Sequence, residues 1–179
     1  MRRIIGIDPG LAGGLGVLDL GDQGEVLAAA LVRTPTLTLR RGKKERVEYD
    51  IPAMRTALTA AIDGRAAMIA DVDVVLEEQQ AMPATLRGRK QGGRSTFRTG
   101  LGYGLWLGLV VAARVRYQTV RPATWKRAHG LVGADKKASR LRCGERFPAL
   151  APVKHKDEGP AEALLLAAAI AAGGRGRGH

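Results

Sequence analysis

Apolar residues cluster in short β-branched runs near the N-terminus and in helical spacings further along. Arg3 to Asp8 reads as a strand, with Ile4, Ile5 and Ile7 supplying the bulk of a buried element. Pro9-Gly10 breaks it, and Gly13-Gly14 opens a second apolar run that ends at Leu20. The two runs predict a hairpin. Gly21 to Gly24 is a turn, and Glu25 to Arg33 is a third strand by position, although Leu27-Ala28-Ala29-Ala30 suits a helix equally. Arg40 to Arg46 is a charge run without apolar period and reads as a solvated loop or turn. Ile51 to Ala67 has helical spacing, with Pro52 in its first turn.

Val72 to Glu78 is a further strand that, like the first, delivers carboxylates to its end. Gln79 to Thr99 is polar, Gly-rich and basic, and predicts a mobile loop. Gly100 to Ala113 is helical, with Gly100, Gly104 and Gly108 on one small-residue face suited to close packing on a sheet or on a dimer mate. A short strand, Arg116 to Val120, precedes a Pro-led helix opening at Arg121-Pro122. A basic helix follows from Ala134 to Phe147, then a last helix from about Pro160 to Ala172. Three strands, helix, strand, helix, strand, helices is an α/β order with a meander at the start. Residues 1–172 form one domain on this reading, and 173–179 form a disordered Gly/Arg tail.

Charge changes the picture. The chain carries 29 Lys and Arg against 17 Asp and Glu, a net +12, which favours a polyanionic partner such as nucleic acid. Cys143 stands alone, so neither an internal disulfide nor a thiolate zinc site can be built from it, and a reducing compartment is expected. The N-terminal apolar run is too short for a signal peptide. The runs Leu105 to Ala113 and Ala163 to Ala172 fall short of the ~20 residues that cross a bilayer. The expectation is a cytoplasmic protein with no membrane partner.

The candidate chemistry lies in acids at element ends. Asp8 closes the first strand, Glu77 or Glu78 closes the fourth, and Asp157, Glu158 and Glu162 sit at the start of the last helix. If the first and fourth strands are neighbours, several carboxylates meet and cannot all ionise without compensation. A hard divalent cation compensates, and oxygen-only donors favour Mg²⁺, with Mn²⁺ as a substitute. Two such ions ~3.5–4 Å apart would suit phosphodiester cleavage. Each acid could equally be a surface residue; Asp157 or Glu158 would suit the helix dipole without any metal.

These segments resemble a known family. Ile5-Gly6-Ile7-Asp8-Pro9-Gly10 with Gly13-Gly14, then Leu76-Glu77-Glu78-Gln79, then Ala161-Glu162-Ala163-Leu164 resemble the RuvC-type Holliday-junction resolvases, with the closer likeness to phage-borne relatives. Val120-Arg121-Pro122-Ala123-Thr124-Trp125-Lys126 and Gly133-Ala134-Asp135-Lys136-Lys137 fall where that family carries a Pro-led helix and a basic helix. The likeness runs from about residue 3 to 172. It implies a ribonuclease-H-like fold with a mixed five-stranded sheet flanked by helices. It also implies a homodimer, a role in DNA recombination and repair, and Mg²⁺-dependent nicking of four-way DNA junctions by a crossover junction endodeoxyribonuclease. Four metal-binding, catalytic acids are implied: Asp8, Glu78 (it precedes Gln79), Glu162 and, fourth, Asp157, with Glu158 as its rival. Lys126 and Lys136 match basic residues placed near the DNA. Lys137 and the loop cations Arg87, Arg89, Lys90, Arg94 and Arg98 join them as expected DNA contacts.

The sequence departs from the family after the second acid, where an aromatic is expected and Ala81-Met82 stand instead; the nearest aromatic, Phe97, is expected to pack against the Gly100 helix. Two other readings compete. A non-catalytic nucleic-acid-binding module shares the charge but needs no metal. An actin-like or sugar-kinase-type phosphotransferase shares the first strand and its Asp, yet needs a second lobe and phosphate loop.

Overall fold

The computed structural model describes residues 1–42, 44–63, 71–78, 85–86, 89–90 and 93–173; of residues 41, 85–86, 89–90, 94–95 and 136 only the backbone is described. The centre is a five-stranded sheet built from β1 (Arg2–Asp8), β2 (Gly14–Leu20), β3 (Val26–Arg33), β6 (Val72–Glu77) and β9 (Arg116–Val120), in the order β3-β2-β1-β6-β9. The first three strands are an antiparallel meander, while β6 and β9 run parallel to β1. The sheet is therefore mixed, as expected. Leu27 to Ala30 lie in strand, because Ala28 to Ala30 pair directly with β2.

Strand alternation divides the core. Ile5, Ile7, Val74 and Leu76 face one side, where α1 (Ile51–Asp63) and α2 (Gly93–Ala112) cover them with Met54, Leu58 and Trp106. Ile4, Leu18 and Val75 face the other side, under α5 (Glu158–Ala172), α3 (Pro122–Ala128) and α4 (Lys136–Arg146). The α5 contact is unusually close. A Cβ on Gly6 would lie 1.8 Å from the Ala163 carbonyl oxygen, and one on Gly16 would lie 2.1 Å from Leu164 N. Glycine at both positions lets the helix axis sink towards β1 and β2.

Three expectations are corrected. The charge run at Arg40 to Arg46 is not a loop: β4 (Thr36–Arg41) and β5 (Lys44–Tyr49) pair as a hairpin whose turn holds Gly42 at φ +61°. A two-stranded ribbon with exposed residues on both faces can carry charge, and Arg40 pairs with Glu45 across it at 2.8 Å. The helix expected from Gly100 begins at Gly93, so it absorbs the end of the predicted loop; residues 79–84, 87–88 and 91–92 lie outside the described residues, and Thr85–Leu86 (β7) pairs with Arg89–Lys90 (β8). The last helix begins at Glu158, two residues before Pro160, because proline is tolerated in a first turn whose N–H groups have no helical acceptor. The predicted tail beyond Gly173 lies outside the described residues.

Candidate active site

The β1–β6 register pairs Ile7 with Leu76, so the next residues, Asp8 and Glu77, close neighbouring parallel strands. By alternation both belong to the α5 face: Asp8 follows Ile4 and Gly6, and Glu77 follows Val75. The turn after Asp8 is held in place. Gly10 N–H donates to Asp8 Oδ1 at 3.2 Å, Gly13 N–H donates to the Gly10 carbonyl at 3.0 Å, and Thr34 Oγ1 donates to the same carbonyl at 2.9 Å. Tyr49, buried at the end of β5, donates towards the Pro9 carbonyl at 3.4 Å and supports the turn from the opposite face.

Glu77 feels its neighbours. Burial, first, and then the charges of Asp8 and Glu162 push its carboxyl up to about 7, against a lowering by the Trp125 indole N–H and the Lys126 ammonium. Asp8, Glu77 and Glu162 therefore share one electrostatic field, although they come from β1, β6 and α5. Trp125 Nε1 donates to Glu77 Oε2 at 2.5 Å, and Ser139 Oγ donates to Glu162 Oε1 at 2.9 Å. Lys126 Nζ lies 5.3 Å from the centre of the Trp125 ring.

The expected second acid, Glu78, is directed elsewhere. It follows Val74 and Leu76 in parity; Thr119 Oγ1 donates to its Oε1 at 3.1 Å and Arg121 Nε lies 3.5 Å from its Oε2. Glu77 is the residue at this strand end that shares a face with Asp8 and Glu162. Asp157 precedes α5 and is engaged by Arg33 Nε at 2.7 Å. Its rival Glu158 lies in the first turn of α5, four residues before Glu162 and so on the same helix face. It lines, with Asp8, His155 and Lys156, a cavity of about 470 Å³ beside the Asp8 turn, and Arg140 Nε approaches it at 3.6 Å.

The expected DNA-contacting cations are dispersed. Lys126 stands at the acid cluster. Lys137 is the second residue of α4, beside Arg140 along an apolar groove. Arg98 donates instead to the Val47 carbonyl of the β4–β5 hairpin. Lys136 begins α4, Arg94 lies in α2, and Arg89 and Lys90 form β8, all four with side chains outside the description; Arg87 lies outside the described residues. Phe97 does not pack inward: it is 67% exposed on α2. Cys143 is buried with its thiol pushed up to about 11 by desolvation, which leaves it protonated and unreactive.

The fold has structural parallels. The chain is similar to Thermus thermophilus RuvC solved in complex with a Holliday junction substrate, at a TM-score of 0.57 and 18% identity over 97% of each chain. It is similar to a second structure of Thermus thermophilus RuvC at a TM-score of 0.59 and 19% identity, again over 97% of each chain. The fold is that of RuvC. No protein-family model and no curated protein matches the sequence. The RuvC fold is ribonuclease-H-like, and its central strands carry Asp8 and Glu77 here.

The donor set suits a hard cation. Asp8, Glu77, Glu158 and Glu162 offer only carboxylate oxygens, and the raised Glu77 carboxyl registers negative charge that a divalent ion would offset. Among the described residues no three acids, imidazoles or thiols already converge as a formed metal cage. No helix among the described residues is long and apolar enough to cross a membrane.

Proposed function

We propose that this chain is a Mg²⁺-dependent, structure-selective DNA endonuclease that resolves four-way (Holliday) junctions by paired symmetric nicks. The observation that carries the reading is that Asp8 and Glu77 close adjacent strands of a RuvC-type sheet on the face covered by α5, where the charge of Glu162 also reaches Glu77, in a protein of net charge +12. Asp8, Glu77 and Glu162 would hold the cations, with Glu158 as the fourth ligand in place of Asp157, since Glu158 shares a cavity with Asp8 and a helix face with Glu162, and its arginine lies at 3.6 Å whereas Arg33 holds Asp157 at 2.7 Å. Bound Mg²⁺, or Mn²⁺ on the same donors, would polarise the attacking water and stabilise the departing 3′ oxygen, two ions serving one site.

The chain's own residues do the rest. The Asp8 turn is pinned by Gly10, Gly13 and Thr34, so its carboxylate does not have to be ordered when substrate arrives. Lys126 beside Glu77, with Lys136 and Lys137 at the start of α4, would take the phosphates of a DNA arm, as charge contacts that position the backbone without reading bases. Paired nicks need two such sites related by a two-fold axis. The α2 surface supports a homodimer: Phe97, Leu101, Gly104, Gly108 and Val111 recur at alternating spacings of four and three and are all exposed. A Cβ added at Gly104 or Gly108 would meet nothing within 4 Å, so a second α2 can approach closely there. The reading implies action on intracellular DNA.

The test is incubation with a labelled four-way junction, a flap and a linear duplex, with and without Mg²⁺. Paired nicks confined to the junction and dependent on Mg²⁺ are expected. Equal cutting of all three reduces the protein to a general nuclease, and binding without cutting makes it a non-catalytic module.

A further inference from the structure

Two of the three clustered acids are held by uncharged donors from the helices that carry the lysines. Trp125 in α3 is fully buried, and the only polar atom of its side chain, Nε1, donates to Glu77 Oε2 at 2.5 Å. Ser139 in α4 is 3% exposed, and its hydroxyl donates to Glu162 Oε1 at 2.9 Å. Each donor takes one oxygen of its glutamate. The acids outside the cluster differ in partner: Glu78 lies against the Arg121 guanidinium, Asp157 against that of Arg33 and, at the longer distance of 3.6 Å, Glu158 near that of Arg140. A guanidinium offsets a carboxylate's charge, and so weakens its pull on a second cation. An indole N–H or a hydroxyl fixes its rotamer and leaves the charge in place.

We propose that Trp125 and Ser139 are positioning residues that aim Glu77 and Glu162 and thereby set how tightly the site holds a divalent cation. The proposal rests on the nuclease reading above. Neither residue touches the cation or the DNA; both act through the glutamate they tether. Hydrogen bonds of this kind typically change metal affinity or activity by ~10–100-fold. The location adds a coupling. Trp125 is the neighbour of Lys126 in α3, and Ser139 lies two residues beyond Lys137 in α4, so DNA seated on these helices bears on the elements that aim the acids.

The test is Mn²⁺ binding by calorimetry on the full chain without DNA, for wild type, Trp125→Phe, Ser139→Ala and Ser139→Thr. Trp125→Phe keeps an aromatic ring at the buried position and removes the N–H together with part of the indole, so melting temperature is recorded for every variant. Mn²⁺ binding weakened ~10–100-fold in Trp125→Phe and Ser139→Ala, and restored in Ser139→Thr, is expected. Junction affinity in EDTA stays at the wild-type level. Wild-type Mn²⁺ affinity in both deletion variants overturns the proposal and leaves the nuclease reading standing. So does a loss of affinity that follows melting temperature across the four proteins rather than the presence of the donor. A wild-type protein that neither binds Mn²⁺ nor nicks DNA overturns the nuclease reading, and this proposal with it.

Discussion

Asp8 and Glu77 close adjacent parallel strands on the same face of the sheet, one step beyond the Ile7–Leu76 pair, while Glu78 points to the opposite face. The two neighbouring glutamates should therefore behave differently. Glu77→Gln keeps the acceptor for the Trp125 indole and removes the charge. It should lower Mg²⁺-dependent nicking by more than the ~10–100-fold that changes around a metal site cost. Glu78→Gln should nick at close to the wild-type rate. Single-turnover rates on one labelled junction compare them directly; the reverse order would return the site to Glu78.

The same residue makes stability depend on pH. The Glu77 carboxyl lies near 7 in the folded protein against an ordinary value of 4.5. Between those values the folded chain keeps a proton that the unfolded chain has released. Stability should therefore fall as pH rises through this window, and the loss should be complete above about 7, on the order of 3 kcal/mol. Glu77→Gln removes the effect, so the metal-free variant should melt higher than metal-free wild type at pH 8 and equally at pH 4. Saturating Mg²⁺ should stabilise wild type at pH 8 and leave the variant little changed.

The closeness of α5 to the sheet is a further point of test. A methyl on Gly6 would lie 1.8 Å from the Ala163 carbonyl oxygen, a backbone atom that cannot swing aside. Gly6→Ala should cost about 1–3 kcal/mol or more by overpacking, read as a fall in denaturation midpoint. It should also lower nicking beyond the stability loss, because α5 carries Glu158 and Glu162.

How far the sequence could be read follows from these residues. The first strand was legible because β-branched bulk ends abruptly at Asp-Pro-Gly. The choice between Glu77 and Glu78 was not, because Val74, Val75 and Leu76 are all buried: a central parallel strand covered on both faces shows no alternation, and only the register reveals which acid faces Asp8. The β4–β5 hairpin was hidden because an exposed ribbon does not need an apolar face. Glu158 was obscured by Pro160, which suggests a helix start yet sits in a first turn. Trp125 and Ser139 carry no sequence signal of their role; each reads as an ordinary helix residue until its hydrogen bond is seen.

The α2 stripe predicts an assembly. Phe97→Asp with Leu101→Asp should convert a dimer into a monomer by sedimentation velocity while leaving the melting temperature of the monomer fold nearly intact, since both side chains are exposed in the single chain. The monomer should still make single nicks in a junction but lose the paired ones. A wild-type protein that sediments as a monomer at micromolar concentration and on junction DNA would remove the dimer from the proposal.

On the proposed function, Asp8 opens an acid site that cuts DNA with a divalent cation. The most direct measurement is cleavage of a labelled four-way junction by Asp8→Asn in Mg²⁺, alongside its junction affinity. Binding should be retained and nicked product should disappear. Nicking by Asp8→Asn at the wild-type rate would contradict the proposed function.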